Sequence, residues 1–264
     1  MKEQDPAQDQ LAQVILAIES SEFAQHLRVW LGGLCRFDNI TMLAFFENRK
    51  PEVFVTEAAE HRVFERISSH YVNGAYLLDP FYTLHKTGAS DGLYRLADVA
   101  PDQFQRNEYF KSYYQRTTLV DELAFFSRPA PGVSITICIG RDASTASRFS
   151  ARDLAAAHRI APVVNALATR NWRDLKGAKD ASTENAAETL RRRLTEEKSI
   201  SLSARQSEIA LLILQGHSSI SIGLTLGISP QTVKVIRKQL YKKCSISSQG
   251  ELYYLIAPFL AQNR

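Results

Sequence analysis

The segment Ser229–Cys244 constrains the fold of this chain more than any other part of the sequence. It opens with Ser-Pro, which is typical of a helix start. The serine hydroxyl accepts a hydrogen bond from a backbone amide, and proline has no amide hydrogen to leave unbonded. Five lysines and arginines follow without one carboxylate. At about 100° per residue, four apolar residues share one side of the predicted helix, and that side is expected to be buried. They are Val233, Ile236, Leu240 and Cys244.

Two shorter helices are predicted immediately before this one. Ser203 and Gln206 have the Ser-x-x-Gln spacing of a capping box, in which each side chain accepts from the other residue's backbone amide. Gly216 ends that helix, since glycine takes the left-handed conformation at low cost. One of the next two serines begins the second helix, and Gly227 ends it. Two helices joined by a short glycine-containing turn are the helix-turn-helix plan.

Charge is distributed unevenly along the chain. Residues 200–264 hold seven Lys and Arg against two Glu, a net charge of +5, whereas the remainder holds 25 basic against 26 acidic side chains. This asymmetry indicates a polyanion partner for the C-terminal part alone. A solvated surface helix is the alternative that a run of charges by itself leaves open. Because a major groove admits a cationic helix, we predict double-stranded DNA as the partner.

The polar side of the cationic helix supplies the predicted contacts with DNA. Lysine donates to guanine O6 and N7, and valine touches a thymine methyl group. Hydroxyl groups and amides at the helix start suit phosphates. The predicted DNA-binding residues are Ser229, Gln231, Thr232, Lys234, Val235, Arg237, Lys238 and Lys242.

The last quarter of the chain resembles the DNA-binding domain of LuxR-type regulators. The resemblance implies a domain of four helices, the last within "GELYYLIAPFL" and commonly used for dimer contact. It also implies that Lys234, Val235 and Lys238 are base-reading positions. The residues that match the family pattern are Leu202, Arg205, Glu208, Gly216, Ser218, Ile222, Leu226, Ile228, Ser229, Thr232, Val233, Lys234, Lys243 and Glu251.

The chain departs from the family pattern at two places. Asn-Lys-Glu is common in the family where this chain has Ser219, Ile220 and Ser221. Histidine is common where this chain has Ile236. The first departure bears on contacts from the second helix, whereas the core and recognition pattern are retained.

Residues 1–175 have the pattern of an α+β domain. Two alternating segments flank "ENRK" as in an antiparallel hairpin, and three further strands are predicted in "GLYRLADV", "LVDELAFFSR" and "GVSITICIG". Ser150 caps a long helix after them. Antiparallel strands between flanking helices predict an α-β-α sandwich, an order that resembles small-molecule sensing domains of the GAF and PAS type. We predict a sensing and dimerisation domain at 1–175, a linker at 176–199 and an all-α, four-helix helix-turn-helix domain at 200–264.

A small-molecule site is predicted where aromatic residues are concentrated, between Phe64 and Phe126. Aromatic walls with a few hydroxyls and one carboxylate suit a small ligand, although aromatic residues also fill cores. "AYLLDPFY" resembles the Asp-Pro segment of acyl-homoserine-lactone receptors, which implies that Asp79 accepts from the ligand amide. The alternative is that Asp79 caps a helix or starts a turn before Pro80. The Trp-x-x-x-Tyr of those receptors falls at Arg66 and His70. The predicted ligand-binding residues are Tyr76, Asp79, Phe81, Tyr82, Tyr94, Tyr109 and Tyr113.

Together these features predict a homodimeric transcription regulator. Its N-terminal domain binds a small organic effector and thereby changes binding to an inverted-repeat operator. The alternative is a ligand-independent DNA-binding protein whose N-terminal domain mediates only dimerisation or protein contacts. A sigma-factor-like subunit carries a similar terminal module, but the β-rich first half argues against it. RNA polymerase is a further candidate partner, and quorum sensing, with an acyl-homoserine lactone, is one of the roles left open.

No enzyme is predicted, since no nucleophile-base pair, phosphate loop or metal set occurs at local spacing. We expect no catalytic residue, metal or cofactor. Cys35, Cys138 and Cys244 are far apart and odd in number, which predicts buried free thiols. No stretch approaches the roughly 18 apolar residues of a membrane span, and the first residues lack the apolar core of a signal peptide. We predict a cytoplasmic protein without a membrane partner.

Overall fold

A computed structural model describes residues 6–177 and 186–260. By their contacts these residues divide into two compact units, each built from three stretches of chain. The sheet unit comprises residues 6–65, 84–98 and 118–177, and the helical unit comprises residues 66–83, 99–117 and 186–260. Two stretches of the predicted sensing domain therefore group with the C-terminal helices. The predicted domain limits themselves stay a prediction.

One five-stranded sheet organises the sheet unit. Its strands are β1 (Asn39–Phe46), β2 (Glu52–Ala58), β3 (Gly92–Arg95), β4 (Asp121–Ala130) and β5 (Val133–Arg141). The order across the sheet is β2-β1-β5-β4-β3, and every neighbouring pair is antiparallel. All residues of β1 and β5 are buried, which requires cover on both faces. The predicted α+β architecture with an antiparallel sheet is confirmed.

Helices precede and follow the strands, and short helices and turns lie between them. Eleven α-helices are described: α1 (Pro6–Leu16), α2 (Phe23–Leu34), α3 (Pro80–Thr87), α4 (Leu96–Val99), α5 (Glu108–Ser112), α6 (Ala151–Asn171), α7 (Ala186–Lys198), α8 (Ala204–Gln215), α9 (Ser219–Leu226), α10 (Pro230–Cys244) and α11 (Gln249–Leu260). A π-helical turn, Ile67–Tyr71, and a 3₁₀ turn, Ala75–Leu78, precede α3.

The strand predicted in "GLYRLADV" is wrong in its second half. β3 is an edge strand, and its pairing with β4 ends at Arg95, opposite Leu123. The chain then turns into α4, whose first residue, Leu96, is buried. Local sequence did not reveal this change because an alternating apolar pattern over four residues fits either conformation.

The core of the sheet unit lies on one face of the sheet. Buried residues of α1, α2 and α6, such as Val14, Leu27 and Val164, pack with alternate residues of β1 and β5, such as Met42 and Ile137. Burying an apolar side chain of this size contributes about 1.5–3 kcal/mol. The alternate residues of the same strands, such as Leu43, Phe45 and Thr136, face the opposite side and are buried as well.

Helix capping in the C-terminal part agrees with the sequence predictions. Ser203 and Gln206 form the capping box of α8. Gly216 and Gly227 end α8 and α9 with left-handed backbone, at φ 102° and φ 65°. Ser218 is the serine that caps α9, through its Oγ and the Ser221 backbone amide. The four helices α8 to α11 thus form the predicted helix-turn-helix domain.

The predicted linker contains a helix that packs. Ala187, Leu190 and Leu194 of α7 are buried, and α7 contacts both α8 and α11. Arg193 Nη1 donates to the Phe259 backbone carbonyl at 2.8 Å. Residues 178–185, also in the predicted linker, lie outside the described residues. The second half of this segment therefore belongs to the helical unit.

Two smaller predictions concern cysteines and membrane spans. Cys35, Cys138 and Cys244 are free and buried, as predicted. None of the described helices combines the length and the hydropathy of a membrane span.

Candidate nucleic-acid interface and effector site

α10 has a buried side and an exposed side. Val233, Leu240 and Cys244 are buried as predicted, whereas Ile236 is only half-buried because it lies at the edge of the apolar arc. The predicted DNA-binding residues lie on the opposite side and at the helix start. Ser229, Gln231, Thr232, Lys234, Val235, Lys238 and Lys242 are exposed, and Arg237 is half-buried.

Hydroxyl groups fix the first turn of α10. Ser229 Oγ accepts from the Thr232 backbone amide at 3.0 Å, and the two side-chain oxygens lie 2.8 Å apart. Pro230 occupies the first position of the helix. Backbone amides and the helix dipole make this end of the helix electropositive. The hydroxyls of Ser229 and Thr232 therefore lie at the end of α10 where backbone amides can donate to a phosphate oxygen.

The cations of α10 are not neutralised by neighbouring carboxylates. Within residues 6–177 and 186–260, no Asp or Glu forms an ion pair with Lys234, Lys238 or Lys242. Arg237 lies over the Tyr241 ring, 5.1 Å from its centre, which orients the guanidinium along the helix. Lys243 is engaged elsewhere, because its Nζ donates to the Ser201 carbonyl at 2.9 Å. The exposed side of α10 is therefore a cationic surface that suits a polyanion.

α9 adds an exposed apolar surface beside this helix. Ile220 is 65% exposed and Leu224 is 81% exposed. With Ile228 and Pro230 they line an open groove of about 380 Å³. Ile220 stands at one of the positions where the chain departs from the LuxR pattern. We call this apolar surface of Ile220, Leu224, Ile228 and Pro230 the α9 patch.

Asp79 is the centre of the candidate effector site in the helical unit. It is 9% exposed, accepts from Tyr71 OH at 2.6 Å and accepts from the Phe81 backbone amide at 2.7 Å. Burial raises the pKa of Asp79 to about 6, although these hydrogen bonds act in the opposite direction. Burial also holds the pKa of the Tyr71 phenol well above its ordinary value. The tyrosine therefore keeps the proton that it donates to the carboxylate.

Six of the seven predicted ligand residues lie in the helical unit. Tyr76, Phe81, Tyr82, Tyr109 and Tyr113 are buried there with Asp79. Their rings contact one another: Tyr76 packs edge-on against Tyr82, and Tyr109 stacks on Tyr113. Tyr94 lies on β3 in the sheet unit, where it is half-buried and its hydroxyl donates to the Ser90 carbonyl. Six of the seven predicted residues therefore lie in one unit, where the aromatic rings pack against one another.

Tyr71 was not among the predicted residues. The preceding turn is π-helical, with amides bonded five residues back, such as Tyr71 N to Arg66 O at 3.1 Å. This wider turn directs Tyr71, and not His70, to Asp79. His70 is stacked on Tyr113 instead. The sequence shows a tyrosine, Tyr71, eight residues before Asp79. Regular helical spacing does not bring residues eight apart into the contact that Tyr71 makes with Asp79.

Polar groups on the second face of the sheet were missed as well. Ser134 Oγ lies 2.7 Å from His85 Nδ1, and burial with neighbouring cations lowers the pKa of His85 to about 4. The hydroxyl of Thr136, on the same face, is buried without a hydrogen-bond partner in the described part of the chain, as is that of Ser127 on the core face. Alternation along β4 and β5 was the signal that could have found these residues. No group of three or more potential metal ligands occurs among the described residues.

The family model for "Bacterial regulatory proteins, luxR family" matches residues 200–256. This chain carries a LuxR-type helix-turn-helix domain. A second comparison, with a single relative of this LuxR-type protein, extends over 182 residues. A proposed HTH-type transcriptional regulator from the exeN 3′ region of Aeromonas salmonicida is 29% identical over that length, which covers 67% of this chain and 92% of that protein. Both matches are to regulators and not to enzymes.

Two solved structures are also similar to this chain. The crystal structure of the VqsR LBD domain from Pseudomonas aeruginosa is 25% identical with a TM-score of 0.53, and the match covers 64% of this chain and 98% of that chain. SdiA from Escherichia coli is 15% identical with a TM-score of 0.42, and the match covers 96% and 97% of the two chains. The VqsR likeness supports the same α+β fold beside the LuxR-type domain.

Proposed function

We propose that this protein is a cytoplasmic transcription regulator that binds double-stranded DNA as a homodimer through α10. The observation that carries the proposal is the exposed row of Lys234, Lys238 and Lys242, which has no carboxylate partner among the described residues. The row lies on the second helix of a helix-turn-helix, the helix that enters the major groove in such proteins. Lys234, Val235 and Lys238 read bases, while Ser229 and Thr232 contact phosphates.

Titration of the full-length protein with DNA tests this function. Selection from random duplexes would identify the preferred site, and fluorescence anisotropy would then measure its affinity at several salt concentrations. We expect an inverted repeat, with an affinity that falls as salt rises because lysine contacts release counterions from DNA. Failure to bind any duplex in dilute buffer would contradict the proposal.

We infer further that a small organic effector binds near Asp79. The support is a buried carboxylate that accepts from Tyr71, its aromatic surroundings and the similarity of the chain to the VqsR LBD domain. A donor on the ligand, such as an amide or hydroxyl, would satisfy Asp79. The effector shifts the population of dimer arrangements through different affinities for them. An acyl-homoserine lactone is one candidate of this chemistry.

A thermal-shift screen distinguishes this effector from the ligand-independent alternative. A compound that binds only the folded state at 100 times its Kd adds about 2.7 kcal/mol to the free energy of unfolding and raises the melting temperature. We expect the shift to be lost in Asp79→Asn and kept in Asp98→Asn, which changes an exposed carboxylate. If no compound of a broad amide and lactone set gives a shift, the alternative of dimerisation or protein contacts is favoured.

The α9 patch favours RNA polymerase as a second macromolecular partner. Ile220 and Leu224 are exposed apolar residues on a helix that adjoins the DNA-reading helix. Contiguous exposed apolar residues often mark protein contacts. Transcription assays with Leu224→Ser would test this contact: we expect lower transcription at unchanged DNA affinity. Equal transcription by the variant and the unchanged protein would exclude the contact.

A further inference from the structure

Within the helical unit, two stretches of chain form hydrogen bonds with the turn between α8 and α9. The stretches are residues 75–79 and 101–112, which we call the clasp. Gln103 N donates to the Gly216 carbonyl at 2.8 Å, and Gln215 Nε2 donates to the Leu77 carbonyl at 3.0 Å. Three further hydrogen bonds join the clasp to the same domain: Asn107 Nδ2 to Leu214 O at 3.1 Å, Ser218 N to Asp102 Oδ1 at 2.9 Å, and Ser112 Oγ to Tyr253 OH at 2.9 Å.

Close packing accompanies these hydrogen bonds. Gly216 has φ 102°, and a Cβ atom there would lie 2.8 Å from Phe104 Cα, so only glycine permits this approach. Asn107 is 1% exposed and is held at both ends of its amide, because its Oδ1 also accepts from the Phe110 backbone amide. The clasp and the turn therefore form one well-ordered contact and not a loose approach of two surfaces.

The clasp is continuous with the candidate effector site. The 3₁₀ turn Ala75–Leu78 presents the Leu77 carbonyl to Gln215 and leads directly into Asp79. Asp79 is fixed in turn by the hydroxyl of Tyr71. A displacement at the Asp79 carboxylate therefore moves the acceptor of Gln215, at the end of α8. α9 and α10 follow that point in the chain and pack against each other.

We propose that the clasp transmits the state of the Asp79 site to the DNA-binding helices through the α8–α9 turn. This inference rests on the proposed function and specifies its regulation. The coupling is a free energy between the two sites, carried by the hydrogen bonds that Gln215 donates to Leu77 and that the Ser218 amide donates to Asp102.

A double-mutant cycle in the full-length protein tests the coupling without knowledge of the effector. Tyr71→Phe removes the hydrogen bond to Asp79 and changes the state of the site. The release variant, Gln215→Ala with Asp102→Ala, removes two side-chain bonds of the clasp. The control variant, Gln25→Ala with Asp98→Ala, makes the same substitutions at two exposed positions outside the clasp. The probe is a mixed-sequence duplex at low salt, and the readout is its affinity by fluorescence anisotropy.

We expect Tyr71→Phe to change the duplex affinity at least about threefold in the unchanged and control backgrounds. In the release background the same substitution should change the affinity by less than about 1.5-fold. An equal change in all backgrounds, or no change in any, overturns the coupling while leaving DNA binding intact. Loss of duplex binding by every form, the unchanged protein included, overturns the proposed function and the coupling together. Thermal melting verifies folding, and Asp79→Asn replaces Tyr71→Phe if that variant does not fold.

Discussion

Asp79 places a titratable group where charge is costly. The ordinary pKa of its carboxyl is 3.8, whereas in the folded protein the pKa is about 6. Between these values the folded state binds more protons than the unfolded state, so the free energy of unfolding falls as the pH rises through about 6. The difference corresponds to about 3 kcal/mol, fully present below the lower pKa and lost above the higher one.

Asp79→Asn should remove this dependence on pH. We expect the unfolding free energy of the unchanged protein, relative to that of the variant, to fall by about 2 kcal/mol between about pH 4 and about pH 7. Urea unfolding at the two pH values measures the difference. Asp98→Asn, at an exposed position, should keep the dependence of the unchanged protein. Parallel pH profiles for the unchanged protein and Asp79→Asn would contradict the burial argument.

Lys234 and Lys238 are expected to contribute separately to DNA affinity. Each substitution by alanine should weaken binding to the preferred site by about 1–3 kcal/mol if the lysine contacts a base. Lys86→Ala, at an exposed position outside α10, controls for the loss of one positive charge. Unchanged affinity in both α10 variants would mean that another side of this helix faces DNA.

At the scale of the element, α10 depends on its first residue. Ser229 Oγ satisfies the Thr232 backbone amide at 3.0 Å. Ser229→Ala should lower the free energy of unfolding by about 1 kcal/mol, because that amide loses its partner. Chemical denaturation of the full-length protein provides the measurement. Ser68→Ala, at an exposed position outside these helices, should change the stability by a few tenths of that amount at most; a comparable loss there would speak against capping as the cause.

Elements with local signals were predicted well, and those set by distant partners were not. The caps at Ser203 and Ser229 are decided within four residues, and the structure has both. The end of β3 depends on where its pairing with β4 stops, which its own residues do not encode. The contact of Tyr71 with Asp79 depends on a π-helical turn, so helical spacing did not find it. The cationic side of α10 was predictable because one helix contains all of it.

At the scale of the whole molecule, the proposed dimer predicts the geometry of the operator. Two recognition helices that enter successive major grooves on one side of DNA require half-sites about 34 Å apart. Insertion of about five base pairs between the half-sites turns one of them to the opposite side, and we expect the affinity to fall at least about tenfold. Sedimentation with labelled duplex should show two chains per site. One chain per duplex at saturation would contradict the dimer.

The helical unit joins residues 66–83 and 99–117 to helices made much later, from residue 186 onward. During synthesis the aromatic stretches leave the ribosome many seconds before α8 and α11 do, at rates of about 5–20 residues per second. In that interval Tyr109, Phe104 and their neighbours have no C-terminal helices to cover them. We therefore expect the nascent chain to expose this aromatic surface until its last helix emerges, and we expect a fragment that ends near residue 175 to be less soluble than the full chain.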